Sequence, residues 1–265
     1  MCKILASLAF SLLPAIFLYS WFVEPAWIDA TTHDIAVGHK GSPITLVQLS
    51  DLHMSDYGRT EQGVIKLLTA STPDIVVLTG DTIDDKESLP ALDVFLSKLP
   101  NTLRFAVLGN WEYWSGTDLE ALRLLYIKHN VQLLVNECVA LQINGGPLRV
   151  AGLDDYTASF PDLDEAMKQC PSTAPLVVLE HSPGLLEKVG ALPAGPRPLI
   201  LAGHTHGGQL AIGRFAIFTP RGSGDFVAGW YDTALGQLYV SRGIGTSVLP
   251  LRFSARPEVA TFTLR

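Results

Sequence analysis

RPLILAGHTHGGQ, Arg197 to Gln209, is the stretch on which the fold turns. Its apolar run is short and continuous, as in a strand buried on both faces, and two histidines follow it at once. His204 and His206 therefore emerge at a strand's C-terminal end, the edge where open α/β sheets bind ligands. Upstream, the same pattern recurs four times. ITLVQLS precedes Asp51-Leu52-His53, DIVVLTG precedes Asp81, RFAVLGN ends at Asn110, and PLVVLE precedes His181.

Strand ends thus deliver Asp51, His53, Asp81, Asn110, His181, His204 and His206 toward what can be one cleft. Imidazole mixed with carboxylate and amide oxygen suits Mn, Fe or Zn better than Mg or Ca, and a structural zinc site would draw more on Cys. These candidates are too many for a single open tetrahedral ion. They suit two divalent metal ions, Mn foremost with Fe or Zn as alternatives, sharing a bridging carboxylate. Such a pair hydrolyses bonds at phosphorus with an activated water, so no Ser or Cys nucleophile is required.

In this order and rough spacing, Asp-x-His, Gly-Asp, Gly-Asn-x-Glu, a lone His before Ser-Pro, and Gly-His-Thr-His-Gly-Gly-Gln resemble the calcineurin-like metallophosphoesterases. The resemblance covers residues 44 to 265. The tail Tyr239 to Thr246, followed by Leu249-Pro250-Leu251-Arg252-Phe253, is similar to a membrane-associated bacterial branch that includes phosphodiesterases and UDP-2,3-diacylglucosamine pyrophosphatases of lipid A synthesis. The resemblance implies an α/β fold, a four-layer αββα sandwich. It also implies that Asp51, His53 and His206 bind one metal, that Asn110, His181 and His204 bind the other, and that Asp81 bridges them. Asp81, Asn110 and His204 are in addition the candidate catalytic residues.

Trp111 departs from the family pattern, which places a histidine there. An indole has one N–H donor and no proton that titrates near neutral pH. Its presence points to a leaving group that needs no acid, such as a phosphate leaving a diphosphate, with the ring stacking on a base or lipid face. Glu112 either orients Asn110 from behind the ligand set or caps the following helix. Arg242 and Arg221, in Gly-rich loops, have the fork geometry for phosphate, though each also reads as an ordinary surface arginine. Asp154 and Asp155 read as turn residues, and His33, His39 and His129 as solvated or structural.

Residues 4 to 23, ILASLAFSLLPAIFLYSWFV, carry no charge over twenty positions, the length that crosses a bilayer. Tyr19, Trp21 and Trp27 fall where an interfacial belt would lie. The expectation is a retained single-pass transmembrane helix over 1–23 in the inner membrane, a connector over 24–43, and a catalytic domain over 44–265. The core is longer than a cleaved signal's and no Ala-x-Ala site follows. Lys3 before the span, with Glu24, Asp29 and Asp34 after it, favours an extracytoplasmic domain, whereas a nucleotide-linked lipid substrate argues for the cytoplasmic face. Cys2, Cys138 and Cys170 are odd in number and sparse, and read as no disulfide framework.

With 19 basic and 26 acidic residues the formal charge is -7, which leaves no electrostatic footprint for nucleic acid. A phosphorylated small molecule or lipid and the bilayer are the expected partners, and no obligate protein partner is evident. Helices are expected around 60–71, 87–99, 116–130 and 161–170, with short strands around 209–218, 236–241 and 258–264. The function that follows is a membrane-anchored, metal-dependent phosphoesterase. The alternatives are a broad-specificity phosphodiesterase or monoesterase and, from another class, a metal-binding pseudoenzyme that recruits a partner.

Overall fold

The computed structural model describes residues 13–190, 196–213 and 215–265. Its strands, in chain order, are β1 (Asp29–Ile35), β2 (Ile44–Leu49), β3 (Ile75–Thr79), β4 (Leu103–Val107), β5 (Gln132–Leu133), β6 (Glu137–Ile143) and β7 (Gly146–Gly152). They continue as β8 (Leu176–Leu179), β9 (Leu199–Ala202), β10 (Ala211–Ile212), β11 (Phe215–Ala216), β12 (Gly229–Asp232), β13 (Gln237–Val240) and β14 (Glu258–Leu264). One sheet runs β1-β14-β2-β3-β4-β5 and the other β12-β13-β9-β8-β7-β6, while β10 and β11 form a separate hairpin.

Alternation along β2 shows why the sheets stack. Ile44 and Leu46 pack with Ile75 and Val77 of their own sheet and with Val177, Leu179 and Leu201 of the facing one, whereas Val47 and Leu49 join the cluster on the outer face. Outside the first sheet lie the helices Arg59–Ser71, Leu89–Lys98 and Leu119–Lys128, and outside the second lies Leu163–Gln169. Their apolar residues recur at helical spacing: Val64 and Leu68, Leu92 with Phe95 and Leu96, and Leu122 with Tyr126 pack on the first sheet, while Leu163 and Ala166 pack on the second. Asp118 and Asp162 cap two of these helices by accepting from Glu120 N and Glu165 N. The layers therefore run helices, sheet, sheet, helix, as expected of an α/β sandwich.

Three differences from the sequence expectations have physical causes. Residues 29–35, which the sequence places in an irregular connector, form edge strand β1. Its exposed and half-buried positions alternate without an apolar face, and its register is set by backbone pairing with β14. Cys138 and Cys170, from an odd and sparse set that gives no disulfide framework in the sequence, form a disulfide with Cα atoms 5.7 Å apart. Packing of the helix Leu163–Gln169 against β6 and β7 brings them together. The expected membrane span lies partly outside the described residues. Residues 13–18 are α-helical and Tyr19–Val23 continue as a π-helical turn, and among the described residues no helix is long and apolar enough to cross a membrane.

Candidate metal centre

Within each sheet the strands that end in candidate ligands run parallel. Asp51 and His53 follow β2, Asp81 follows β3, Asn110 follows β4, His181 follows β8, and His204 and His206 follow β9. Gln48, buried on β2, ties the sheets together just beneath, donating to Thr79 Oγ1 at 3.0 Å and to the Ala202 carbonyl at 2.9 Å. The turn out of each strand is sharp. Asp51, His53, Asp81, His204 and His206 all have φ between 43° and 71°. Such left-handed conformations are uncommon outside glycine, cost about 1–3 kcal/mol each, and gather at functional sites. Gly80, with φ at 83°, brings β3's exit so near the Gly109 backbone that a Cβ would stand 2.8 Å from it.

Two groups of donors result. Asp51, His53 and His206 form one, and Asp81, His181 and His204 the other, with the ligand atoms of each group within 4.8 Å of one another. His53 Nε2 lies 3.1 Å from His206 Nε2, and His181 Nε2 lies 3.1 Å from Asn110 Oδ1 and 3.2 Å from His204 Nδ1. Asp81 Oδ2 stands between the groups, 3.5 Å from His53 Nε2 and 3.2 Å from His181 Nε2. Donor atoms about 2.0–2.2 Å from a shared ion stand roughly 3.3–3.6 Å apart in a tetrahedral arrangement, and these separations of 3.1 to 3.5 Å lie close to that.

The far sides of the rings decide what faces the centre. His53 Nδ1 meets Asp84 Oδ1 at 2.8 Å, His181 Nδ1 meets the Thr79 carbonyl at 2.8 Å, and His204 Nε2 meets the Arg221 carbonyl at 2.9 Å. Each of those partners accepts, so each neutral ring donates outward and turns its other lone pair inward, the arrangement that metal-binding histidines show. In that neutral form, lone pairs of His181 and His204 would face the Asp81 carboxylate and the Asn110 oxygen with no donor between them. A cation resolves that opposition, and the donor set fits two.

The charges at the centre show what a cation would replace. Burial disfavours charge on His181, but Asp81 and Asp51 outweigh it and hold the imidazole well above its usual range, so a cation bound there would take the place of that ring's inward proton. Burial likewise opposes ionisation of Asp81, yet His181 and His53 draw its carboxyl down to about 2. His206 is pushed well below its usual range by burial and by the His53 and Arg252 charges, which leaves it neutral with a lone pair to offer.

Glu112 caps the helix that carries Asn110, and the side it supports beyond that cap is the loop of Asp81. It accepts from Gly109 N at 2.8 Å at the start of the helix Asn110–Trp114, and from Asp81 N at 3.0 Å. Trp111 donates its backbone N–H to Asp81 Oδ1 at 2.8 Å, and its indole meets the His53 ring edge-on with centroids 5.7 Å apart. Arg221 contributes its carbonyl to His204, while its side chain is exposed. Arg242 donates to Asp29 and Glu258, so its guanidinium is paired with carboxylates. Two residues at the site carry no ligand signal in the sequence, Asp84 and Arg252. Arg252 is fully buried, donating to the carbonyls of Gly245, Arg242 and Ala255, and its Nη2 lies 3.4 Å from His206 Nδ1. Asp155 is a turn residue, accepting from Thr157 and Ala158 and from Ser182 Oγ beside His181.

Residues 44–208 match the family described as calcineurin-like phosphoesterase. The chain belongs to that family. It is 31% identical over 258 residues to a Bacillus subtilis (strain 168) protein named uncharacterized metallophosphoesterase YkuE, covering 93% of this chain and 89% of that one. A Bos taurus protein named transmembrane protein with metallophosphoesterase domain is 32% identical over 241 residues, 84% of this chain and 53% of the other. The NAD nucleotidase NadN of Haemophilus influenzae shares the fold, with a TM-score of 0.50 over 78% of this chain and 46% of that one at 14% identity. As a calcineurin-like phosphoesterase the chain is a hydrolase of phosphoric esters, and its two donor groups suggest a dinuclear divalent centre.

Proposed function

We propose that this phosphoesterase hydrolyses a phosphodiester or diphosphate bond whose leaving group departs as a stable anion. The observation that carries the reading is the place of Asp81 Oδ2 between two sets of inward-facing donors. Asp51, His53 and His206 would hold one cation, Asn110, His181 and His204 the other, and Asp81 both. A cation pair, of which Mn is the first choice, supplies an acidified water and positive charge for the phosphoryl oxygens. The protein's own part is orientation. Asp84, Thr79 and Arg221 fix the rings, and Glu112 fixes the loops that carry Asp81 and Asn110.

Trp111 supports the choice of bond. At the edge of His53 it places a ring with no titrating proton where a general acid would be useful, so bonds that need protonation of an alkoxide are disfavoured. A phosphorylated amphiphile is the substrate class we favour, given the uncharged run over residues 4–23. UDP-2,3-diacylglucosamine is one instance, and it requires the domain to face the cytoplasm. Lys3 and the Cys138–Cys170 disulfide favour the opposite face, because such bonds persist in oxidising compartments. A topology reporter fused at the C-terminus distinguishes the two.

The test of the chemistry is the purified chain with Mn²⁺ and aryl diesters of graded leaving-group pKa. A steep dependence on leaving group, lost together with bound metal in Asp81→Ala, supports the proposal. A flat profile, or no turnover with Mn, Fe or Zn, removes it.

A further inference from the structure

Just beyond His206 the chain leaves the metal centre for the β10–β11 hairpin, and the large side chains there face water. Ile212, Ile217 and Phe218 are 67–71% exposed, and Val248 in the neighbouring loop is 86% exposed. Gln209 joins hairpin to loop, its Nε2 donating to the carbonyls of Ser247 at 3.1 Å and Leu249 at 2.7 Å. Ala211 N donates to the Phe253 carbonyl, and the Phe253 ring packs edge-on against Tyr19 of the N-terminal helix. Arg252 N donates to the Ser20 carbonyl in that helix, whose Phe17, Leu18, Trp21 and Phe22 are also exposed. A cleft of about 430 Å³ where these pieces adjoin is lined by Tyr19, Gly213 and Phe253 together with the charged Glu24, Asp29, Arg242 and Arg256. Large apolar side chains left facing water on segments tied together in this way mark an interaction site.

We propose that the hairpin, the 247–251 loop and the exposed side of the N-terminal helix form one face that inserts into a lipid bilayer, setting the metal centre at the headgroup level. Two observations favour lipid over another protein. The uncharged run of residues 4–23, as long as a bilayer is thick, leads into this very face through Tyr19 and Ser20. Neither 203–224 nor 241–257 contains an Asp or Glu, so no carboxylate in these segments opposes an anionic surface. The centre lies close behind, since a Cβ on Gly208 would stand 2.9 Å from Cα of Ala216 in β11. The proposal does not depend on which bond is cleaved, and its failure would leave that reading standing.

The experiment uses the full chain with Cys2→Ser, so that an introduced cysteine is the one free thiol. A polarity-sensitive fluorophore is attached at Phe218→Cys, Val248→Cys or, as control, Leu103→Cys at the opposite ends of the parallel strands. Each protein is reconstituted in phosphatidylethanolamine and phosphatidylglycerol vesicles with or without brominated acyl chains. Blue-shifted emission that the bromines quench at 218 and 248, and not at 103, is expected. Emission at 218 and 248 that the bromines leave unchanged overturns the proposal, and self-quenching between copies at those positions would assign the face to a second copy of this chain instead.

Discussion

The backbone N–H of Asp81 donates to Oε2 of Glu112 at 3.0 Å. The same carboxylate accepts from Gly109 N at 2.8 Å, from Thr82 N at 2.6 Å and from Thr82 Oγ1 at 2.8 Å, so one buried side chain holds together the exits of β3 and β4. Glu112→Ala frees both loops and leaves buried N–H groups without acceptors. Loss of such outer support weakens metal affinity or activity by about 10–100-fold. Manganese titration of the variant, with circular dichroism to show that it remains folded, measures the effect. An unchanged affinity would reduce Glu112 to a helix cap.

Trp111 offers the complementary change, a gain. Trp111→His introduces a group that titrates near neutral pH beside His53, so diesters with poor leaving groups should be cleaved faster, by up to about 10²-fold. Activated aryl diesters, which need no proton, should respond little. The pH profile for the poor leaving groups should also acquire a falling limb on the alkaline side, as the new acid loses its proton. Steady-state rates across pH for both substrate types check this, and equal acceleration of both would show that the indole acts by bulk alone.

The strands that carry the donors are legible because each is a short apolar block closed by a polar residue, and parallel strands buried on both faces leave that signature. The helices are legible from the spacing of Val64 with Leu68 and of Leu122 with Tyr126. What escapes is whatever depends on the partner rather than on the segment. β1, Asp-Ala-Thr-Thr-His-Asp-Ile, has no apolar face and is a strand because β14, distant in the chain, offers it an edge. Arg252 has no role legible in its own segment, yet three carbonyls enclose it. Asp84 stands in a loop with no pattern, and only the fold brings it to His53.

Glu258 joins β14 to β13 and β1, accepting from the Tyr239 hydroxyl at 2.6 Å, the Thr31 hydroxyl at 2.8 Å and Arg242 Nη2 at 3.1 Å. Burial opposes its ionisation, but Arg242 outweighs burial and holds its carboxyl below the usual range. The folded pKa is thus lower than the unfolded one. The stabilisation is complete above the ordinary glutamate value of about 4.3 and is lost as pH falls through the lower folded value. Glu258→Gln should cost about 2 kcal/mol at neutral pH. Denaturant melts should show that gap constant above about pH 5 and closing below it. A gap that widened in acid would reverse the assignment.

The Cys138–Cys170 bond closes a loop of 32 residues' separation, joining β6 to the end of the helix Leu163–Gln169. A loop of that length restricts the unfolded chain by about 3–4 kcal/mol. In a domain of this size that corresponds to roughly 10 °C in melting temperature. Calorimetry of the chain with and without reductant, beside Cys138→Ala/Cys170→Ala, measures it. The reduced protein and the double variant should melt together below the oxidised form. Because both cysteines lie apart from the donor groups, manganese affinity should stay the same, and a loss of affinity on reduction would tie this staple to the metal centre.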